Sequence, residues 1–198
     1  GAIANDVHGK NHHRAGTFGR HVRAFELLRS NGDRLICTAQ ENPALFSATI
    51  AGLGLTGLVL WAEIQLQPLS NPFIDMESIK FSGLDEFFSI SEESDKSSAY
   101  TVAWLDCVAE GSNFARGIFM RGNACELSAA NLPHKGLHIP LVVPFDAPSF
   151  ALNKLSVQAF NFMYYNKQRQ NRVRKVVHYE PFFFPLDAVL HWNRIYGK

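Results

Sequence analysis

The sequence has few cysteines and no long apolar run. Its three cysteines, at positions 37, 107 and 125, are odd in number, widely spaced and free of any CxxC pattern. This arrangement predicts free buried thiols in a reducing compartment, and so a cytoplasmic protein rather than a disulfide framework. The most apolar stretch, "ATIAGLGLTGLVLWA" (48–62), is shorter than the roughly 18 residues that a transmembrane helix needs, and glycines interrupt it. No transmembrane segment is therefore expected.

Neither sign of charge dominates, and the chain shows no internal repeat. The net charge is +1 over 198 residues, which offers no electrostatic reason to expect a nucleic-acid partner. A hydrophobic content of 46% against 19% charged residues indicates a globular chain with room for one large domain or two small ones. The sequence starts within a dense motif, without methionine or a signal peptide. We therefore expect a piece of a longer protein.

Turn signals divide the first third into short elements. Residues 1–20 are glycine-rich and predict loop, whereas "HVRAFELLRSNGDRLICTA" (21–39) predicts a β-hairpin around Asn31-Gly32. "NPALFSATI" (42–50) predicts a helix with Asn42 as N-cap and Pro43 in its first turn. "LVLWAEIQLQPL" (58–69) predicts a strand, and "LSNPF" (69–73) is the expected boundary between two subdomains.

The remainder reads as an α+β unit. "DMESIKFSG" (75–83) predicts a strand and "LDEFFSISEESDKS" (84–97) a helix capped by Asp85. "AYTVAWLDCVA" (99–109) and "FARGIFMRGNA" (114–124) predict paired strands, which completes a β-α-β-β order. Residues 126–148 predict an extended connection and 149–168 a helix. Residues 172–197 predict a strand, an aromatic run and a short helix from Leu186.

The stretch "NDVHGKNHHRAGTFG" (5–19) concentrates histidines and glycines, so it is the first candidate site. A metal site is disfavoured, because Gly9 opposes the helix that would align His8 with His12, and no third ligand is signalled. No Walker motif occurs. "GLGLTG" (52–57) matches G-x-G-x-x-G, but a strand follows it, and a helix N-terminus is what holds a pyrophosphate. Its glycines therefore predict a tight helix-to-strand bend.

A third interpretation is a loop that lays its backbone against a flat polar ring. Glycines 9, 16 and 19 allow close approach of the main chain, and His8 and Lys10 place donors where negative charge can develop. A flavin needs both, because charge builds at its N1–C2=O end as it accepts a hydride.

Several blocks together resemble the FAD-linked oxidases of the vanillyl-alcohol-oxidase type. They are "GAIANDVHGKNHHRAGTFGRHV" (1–22), "ALFSATIAGLGLTGLV" (44–59), "AWLD" (103–106), "FDAP" (145–148), "LNK" (152–154) and "FPLD…WNRIYG" (184–197). Within that family the resemblance is strongest to oxidases of a polyprenylphosphoryl ribose. It implies that residues 1–70 are the C-terminal part of an FAD-binding domain and that residues 71–198 begin an antiparallel-sheet substrate domain.

The resemblance also implies roles for individual residues. The expected FAD contacts, mostly through backbone groups, are Gly1, Asn5, Asp6, Val7, His8, Gly9 and Val59. His8 and Lys10 would orient the sugar and balance charge on the flavin, and Trp104 and Phe183 would wall the substrate side. The sequence departs from the family at Val102, where a serine is frequent, and at Phe183-Phe184, where a Tyr-His pair is frequent. These departures make the expected pocket wall more apolar.

Packing roles stay open for the same residues. Trp104 lies in an alternating strand and is equally typical of a core, and the phenylalanines at 182–184 are typical of packing. The basic run "KQRQNRVRK" (167–175) is typical of a solvated face, and lipid phosphate is its alternative.

The implied function is oxidation of a sugar hydroxyl, with FAD as cofactor and an NAD(P)-dependent reductase as partner, at the periphery of the inner membrane. An aldonolactone or alditol oxidase and a non-catalytic flavin-like or histidine-rich module are the alternatives.

Overall fold

The computed structural model describes residues 1–126 and 141–196. Its helices within those ranges are α1 (His12–Ala15), α2 (Pro43–Thr49), α3 (Leu84–Ser97), α4 (Lys154–Lys167) and α5 (Tyr179–Phe183). Its strands are β1 (Val22–Leu28), β2 (Arg34–Thr38), β3 (Leu58–Ile64), β4 (Phe73–Phe81), β5 (Tyr100–Leu105), β6 (Gly117–Ala124), β7 (Leu141–Val142), β8 (Arg172–His178) and β9 (Val189–Leu190). Helices combined with largely antiparallel sheets make this an α+β chain. In the part of the chain so described, no helix has the length and apolarity needed to cross a membrane.

The chain forms two compact units, Gly1–Pro68 and Leu69–Lys198. The first contains an antiparallel sheet in the order β2-β1-β3, with α2 beside it. Val22, Phe25, Leu27 and Cys37 form its core, and Phe46 of α2 stacks on Phe25 with ring centroids 5.3 Å apart. Phe25 and Leu27, two positions apart in β1, thus point to the same face of this small sheet, which is its buried face.

The predicted hairpin and the helix after it are confirmed. Asn31 turns the chain between β1 and β2, and its side chain accepts a hydrogen bond from the Asp33 N–H at 3.1 Å. Helix α2 begins at Pro43, but Asn42 does not cap it with its side chain. Its amide donates instead to the Ile36 carbonyl at 2.8 Å, because Asn42 has a left-handed backbone with φ of 49°. Asn42 is therefore at the N-cap position as predicted, but its side chain makes no capping hydrogen bond.

The second unit is built on a four-stranded antiparallel sheet in the order β5-β6-β4-β8. The predicted β-α-β-β order is confirmed in β4, α3, β5 and β6. One core cluster, with Ile79, Phe81, Ile90 and Phe119, packs α3 against the sheet. A second cluster, with Ile74, Met76 and Phe182, lies under α5.

Three predictions about this unit fail. Gly83, not Asp85, is the N-cap of α3, and Glu86 reaches back to accept a hydrogen bond from the Ser82 N–H at 2.8 Å. No α-helix starts at Leu186, because residues 189–190 form strand β9, which pairs with β7. Cys107 is exposed, whereas Cys37 and Cys125 are buried free thiols as expected. Most of the predicted extended connection, residues 127–140, lies outside the described residues.

Candidate functional site

The two glycine-rich blocks of the first unit lie against each other. The Ala51 N–H donates to the Ile3 carbonyl at 3.1 Å, and the Leu53 N–H donates to the Ala4 carbonyl at 2.9 Å. These bonds join the opening loop to the bend between α2 and β3. That bend has positive φ at Ala51, Leu53, Gly54 and Gly57. The tight helix-to-strand bend expected from "GLGLTG" is confirmed.

Asp6 fixes the shape of the opening loop. Its carboxylate accepts a hydrogen bond from the Gly19 N–H at 2.7 Å, and its own φ is 44°. A Cβ on residue 19 would lie 2.5 Å from a methyl group of Ile50 and 2.9 Å from the Asp6 carboxylate. Glycine is therefore required at position 19, where the two blocks close on each other.

The predicted flavin-facing residues follow directly along the chain. Asn5 turns back on Gly1, with its side-chain amide 3.0 Å from the Gly1 carbonyl. Val7 accepts a backbone hydrogen bond from Phe18 at 2.8 Å, while its side chain is 42% exposed. His8 and Gly9 are exposed as well. His8 also pairs with Thr17 in an isolated antiparallel bridge. The exposed residues Val7, His8 and Gly9 thus lie on a loop whose backbone is held by that bridge and by the Asp6 carboxylate.

Lys10 differs from the exposed residues beside it. Its side chain is half-buried, and burial lowers the pKa of its ammonium group below the usual lysine value. A cation that has lost part of its hydration interacts more strongly with a nearby oxygen or anion, because less water screens it. This residue therefore carries the chemistry that an orienting or charge-balancing group needs.

The histidines of this loop do not assemble a metal site. The rings of His8 and His12 meet edge to face with centroids 5.0 Å apart. Residues 1–126 and 141–196 contain no group of three or more His, Cys, Asp or Glu side chains that could hold a metal ion. Helix α1 begins only at His12, because Gly9 and Lys10 form a turn before it.

Val59 takes a position in the core. It is partly buried and packs against the cluster of Phe25 and Leu27. Its side chain thus belongs to the hydrophobic core of the first unit, so any cofactor contact from this residue falls to its backbone or to the edge of the side chain.

Trp104, in the second unit, belongs to a row of aromatic rings. It lies in β5, half-buried, and its ring centroid is 4.7 Å from that of Tyr164 in α4. Tyr164 in turn stacks on Phe160 at 6.1 Å, and Phe160 is 58% exposed. The row therefore leads from the sheet to the surface. These contacts give Trp104 a packing role, and its role as a substrate wall stays a prediction.

Phe183 lies at the end of α5, apart from that row in the chain. It meets Tyr100 edge to face with centroids 5.0 Å apart and packs beside Phe182. Phe182 is buried and Phe184 is 52% exposed. The packing role expected for this aromatic run is confirmed for Phe182. Phe183 is half-buried, intermediate between the buried Phe182 and the exposed Phe184.

The basic run at 167–175 is partly neutralised by the neighbouring strand. Arg174 forms a two-pronged ion pair with Asp75, which lowers the pKa of that carboxyl below its usual range. Arg172 lies 3.8 Å from Glu77. These cross-strand pairs between β8 and β4 favour the solvated-face interpretation over a phosphate site for the two arginines.

Sequence reasoning missed one buried cluster. Asp106, the last residue of "AWLD", is 2% exposed and forms an ion pair with Arg116 at 3.0 Å. The amide of Asn161, in α4, donates to the other carboxylate oxygen at 2.7 Å. An acidic residue directly after an apolar strand, with an arginine ten positions later across a hairpin, was the available signal. The asparagine comes from too far along the chain to be paired with it in advance.

Comparison with known proteins gives three relevant relatives. The chain is 36% identical over its whole length to decaprenylphosphoryl-beta-D-ribose oxidase of Mycolicibacterium smegmatis, of which it covers 45%. It is 39% identical over 62% of its length to an uncharacterized protein in the mprA 5' region of Streptomyces coelicolor, of which that match covers 33%. It is 28% identical over 34% of its length to D-arabinono-1,4-lactone oxidase of Yarrowia lipolytica, of which that match covers 13%.

The chain thus spans about half, or less, of the length of the relatives it matches. No protein-family model matches it. The whole-length match and the lactone oxidase match are those of an FAD-linked oxidase fragment, so the resemblance expected from the sequence is confirmed.

Proposed function

We propose, on the premise that this chain is a fragment of an FAD-linked oxidase, that its parent protein oxidises a sugar hydroxyl with FAD as the acceptor. The observation that carries the proposal is the opening loop, which has exposed residues at 7–9 and a half-buried Lys10 and bonds to the "GLGLTG" bend. In this proposal residues 1–70 complete an FAD-binding domain of the vanillyl-alcohol-oxidase type. Residues 71–198 form the start of the substrate domain.

The loop suits a flavin for two physical reasons. His8 and Gly9 are exposed, the missing side chain of Gly9 allows a flat ring to approach closely, and Asp6 holds the loop in one shape. Lys10 adds a partly desolvated cation beside it. The residues that would hold FAD are Gly1, Asn5, Asp6, Val7, His8, Gly9 and Val59. When bound, FAD would supply a hydride acceptor, so that a sugar carbinol carbon could lose a hydride to it, and its hydroxyl a proton to a base or solvent, to give a ketone.

The chain's own residues orient the sugar and the charges around it. Lys10 donates hydrogen bonds from its ammonium group to a sugar oxygen and balances negative charge nearby. His8, two residues before Lys10, offers an exposed imidazole near the same hydroxyl group of the sugar. Because its half-buried position already removes part of its hydration, Lys10 loses little further solvation when the sugar arrives.

For the substrate we propose a polyprenylphosphoryl ribose, with Trp104 and Phe183 as walls. Support comes from the activity stated in the name of the Mycolicibacterium smegmatis relative, whose match covers the whole chain. Support comes also from the apolar residues Val102, Phe183 and Phe184, at positions where polar groups are frequent, since an apolar wall suits a lipid-linked sugar. An NAD(P)-dependent reductase as partner, and a cytoplasmic location at the inner membrane surface, complete the proposal.

An aldonolactone oxidase is the second candidate, because one relative carries that activity in its name. Its match covers 34% of the chain, against the whole chain for the ribose oxidase. The two candidates share the FAD chemistry and differ in the sugar.

The test is a visible absorption spectrum of the full-length parent protein, recorded before and after anaerobic addition of a polyprenylphosphoryl ribose. We expect a flavin spectrum that bleaches with this sugar and not with an aldonolactone. Bleaching by the lactone alone would move the assignment to the second candidate. Absence of flavin from the purified holoprotein, and after incubation with FAD, would refute the cofactor assignment.

A further inference from the structure

Helix α4 is attached to the sheet by a stripe of polar side chains. Gln158 donates to the Val108 carbonyl at 3.3 Å, Asn161 to Asp106 at 2.7 Å, and the Tyr165 hydroxyl to the Phe81 carbonyl at 3.4 Å. These three positions, spaced by three and four residues, share one face of the helix. The contacts that seat α4 are therefore directional hydrogen bonds, which define its position more narrowly than apolar packing alone does.

Asp106 is the buried centre of this attachment. One carboxylate oxygen accepts from two nitrogens of Arg116, at 3.1 and 3.0 Å. The other accepts from Asn161 at 2.7 Å and from the Val108 N–H at 3.4 Å. Asp106 is 2% exposed. Its carboxylate needs both sets of partners, because a buried charge without partners is strongly destabilising. Arg116 thus occupies one oxygen, and the other is shared by Val108, next to β5, and Asn161 of α4.

The same gap between strand and helix holds the aromatic row. Trp104 and Asp106 are two residues apart in an extended segment, so they share a face of the sheet. Asn161 and Tyr164 are three residues apart on α4, so they are neighbours on the helix. The Asp106–Asn161 hydrogen bond and the Trp104–Tyr164 ring contact, 2.7 Å between heavy atoms and 4.7 Å between centroids, therefore run side by side.

We propose that Asp106 is a positioning residue, which acts through Asn161 to set the spacing of Trp104 and Tyr164 and hence the shape of the aromatic wall that the sugar contacts. The part played by Trp104 in substrate binding rests on the proposed function. The geometry of the Asp106–Asn161 hydrogen bond and of the Trp104–Tyr164 ring contact is independent of that function.

The experiment uses Asn161→Ala in the full-length flavoprotein, because this change leaves the ion pair between Asp106 and Arg116 intact. The matched control is Asn166→Ala on the same helix, whose amide donates to the Phe162 carbonyl at 2.9 Å, within the helix itself. For Asn161→Ala we expect KM for the polyprenylphosphoryl ribose to rise about tenfold, kcat to change less than about threefold, and the flavin content to stay the same. The control keeps both constants within about twofold of the wild type.

A second variant, Asn161→Asp, distinguishes positioning from general damage. It places two carboxylates at hydrogen-bond distance, where like charges repel unless one of them holds a proton. We expect its KM, relative to wild type at each pH, to improve as the pH falls from about 8 to about 5.5, because a shared proton restores the bond. A ratio that stays constant over this range contradicts the proposal.

A spectroscopic readout needs no turnover. The difference in fluorescence between the protein and its Trp104→Phe variant isolates Trp104, and Asn161→Ala should shift that emission to longer wavelength as the ring loses Tyr164. An unchanged Trp104 emission overturns the proposal whether or not the sugar is oxidised. A shifted emission in a parent protein that oxidises no sugar supports the positioning role and refutes the proposed function.

Discussion

At the scale of single residues, partners decide what each charged group can do. In the first unit, the pKa values of Lys10 and Glu26 are lowered by different causes. Burial alone lowers the pKa of Lys10, whereas hydrogen bonds from Arg34 lower the pKa of Glu26. The pKa of the Lys10 ammonium therefore reflects partial loss of hydration, whereas that of the Glu26 carboxyl reflects its hydrogen-bonded neighbours.

Lys10→Met in the full-length protein should lower kcat/KM for the sugar by about 10²-fold, because it removes a preorganised cation from a partly desolvated place. Bound flavin should be retained, since backbone groups provide most of the expected FAD contacts. Anaerobic stopped-flow reduction of the flavin measures the effect, and Lys10→Arg, which keeps the charge, should recover part of it. An unaffected rate of flavin reduction in Lys10→Met would exclude Lys10 from the reaction.

Glu26 predicts an acid sensitivity of the first unit. It accepts hydrogen bonds from Arg34 at 2.8 and 2.9 Å and from the Trp61 indole at 2.8 Å. Because its pKa in the folded state is lowered, its stabilising contribution is complete above the unfolded-state pKa of about 4.3 and is lost as the pH falls through the lower folded value.

The corresponding measurement is Trp61 fluorescence during acid titration. Glu26→Gln should lower the free energy of unfolding at neutral pH and flatten its decline below pH of about 4.3, because this side chain no longer titrates. If the variant and the wild type lost stability in parallel as the pH fell, the pH dependence would belong to other carboxyls.

At the scale of elements, glycines permit the bend that joins α2 to β3. Gly57 has φ of 150°, and a Cβ there would lie 2.5 Å from the Leu28 carbonyl oxygen. Gly54 also has a positive φ, of 79°, but a Cβ on it meets nothing within 4 Å. An alanine at position 54 would thus have backbone strain alone, whereas one at position 57 would also collide with the main chain.

Gly57→Ala should therefore destabilise the protein more than Gly54→Ala, for which strain alone predicts about 1 kcal/mol. Urea unfolding followed by Trp61 fluorescence gives both free energies. Since the bend also holds the opening loop at Ile3 and Ala4, Gly57→Ala should release flavin from the full-length protein more readily. Equal losses of stability in the two variants would contradict the steric argument.

Element positions were largely predictable, whereas element ends were not. The periodicity of "LDEFFSISEESDKS" predicts α3, and Asn-Gly predicts the turn between β1 and β2. Asn42 is at the N-cap of α2 but makes no side-chain cap bond, and the cap predicted at Asp85 is wrong, because both features depend on local contacts. The backbone of Asn42 is left-handed, and Glu86 already occupies the Ser82 N–H. Neither circumstance is visible in residue type or spacing.

At the scale of the whole molecule, an exposed segment connects the two compact units along the chain. Residues 65–70 belong to no helix or strand, and Leu66 and Leu69 are 71% and 52% exposed. Compact units connected in this way usually keep their structure when the connection is cut.

Thermolysin, which cleaves beside large apolar residues, should therefore cut the chain at Leu66 or Leu69 before it cuts within β1 or β4. Mass spectrometry of early time points identifies the first cuts. Cys37 and Ile74, each buried in one core, mark segments that should resist. Earlier cleavage within β1 would show that the first unit opens before the connection is attacked.

The sequence by itself determined the order of elements, the bend at "GLGLTG", the free cysteines and the resemblance to FAD-linked oxidases, because these follow from local pattern and spacing. Only the tertiary structure decided that the opening loop bonds to residues 51–53, that Val59 packs into a core, and that Asp106 meets Asn161. Such contacts join residues tens of positions apart, and their partners depend on which faces of strands and helices meet. A linear pattern specifies a face, but only packing specifies what lies opposite it.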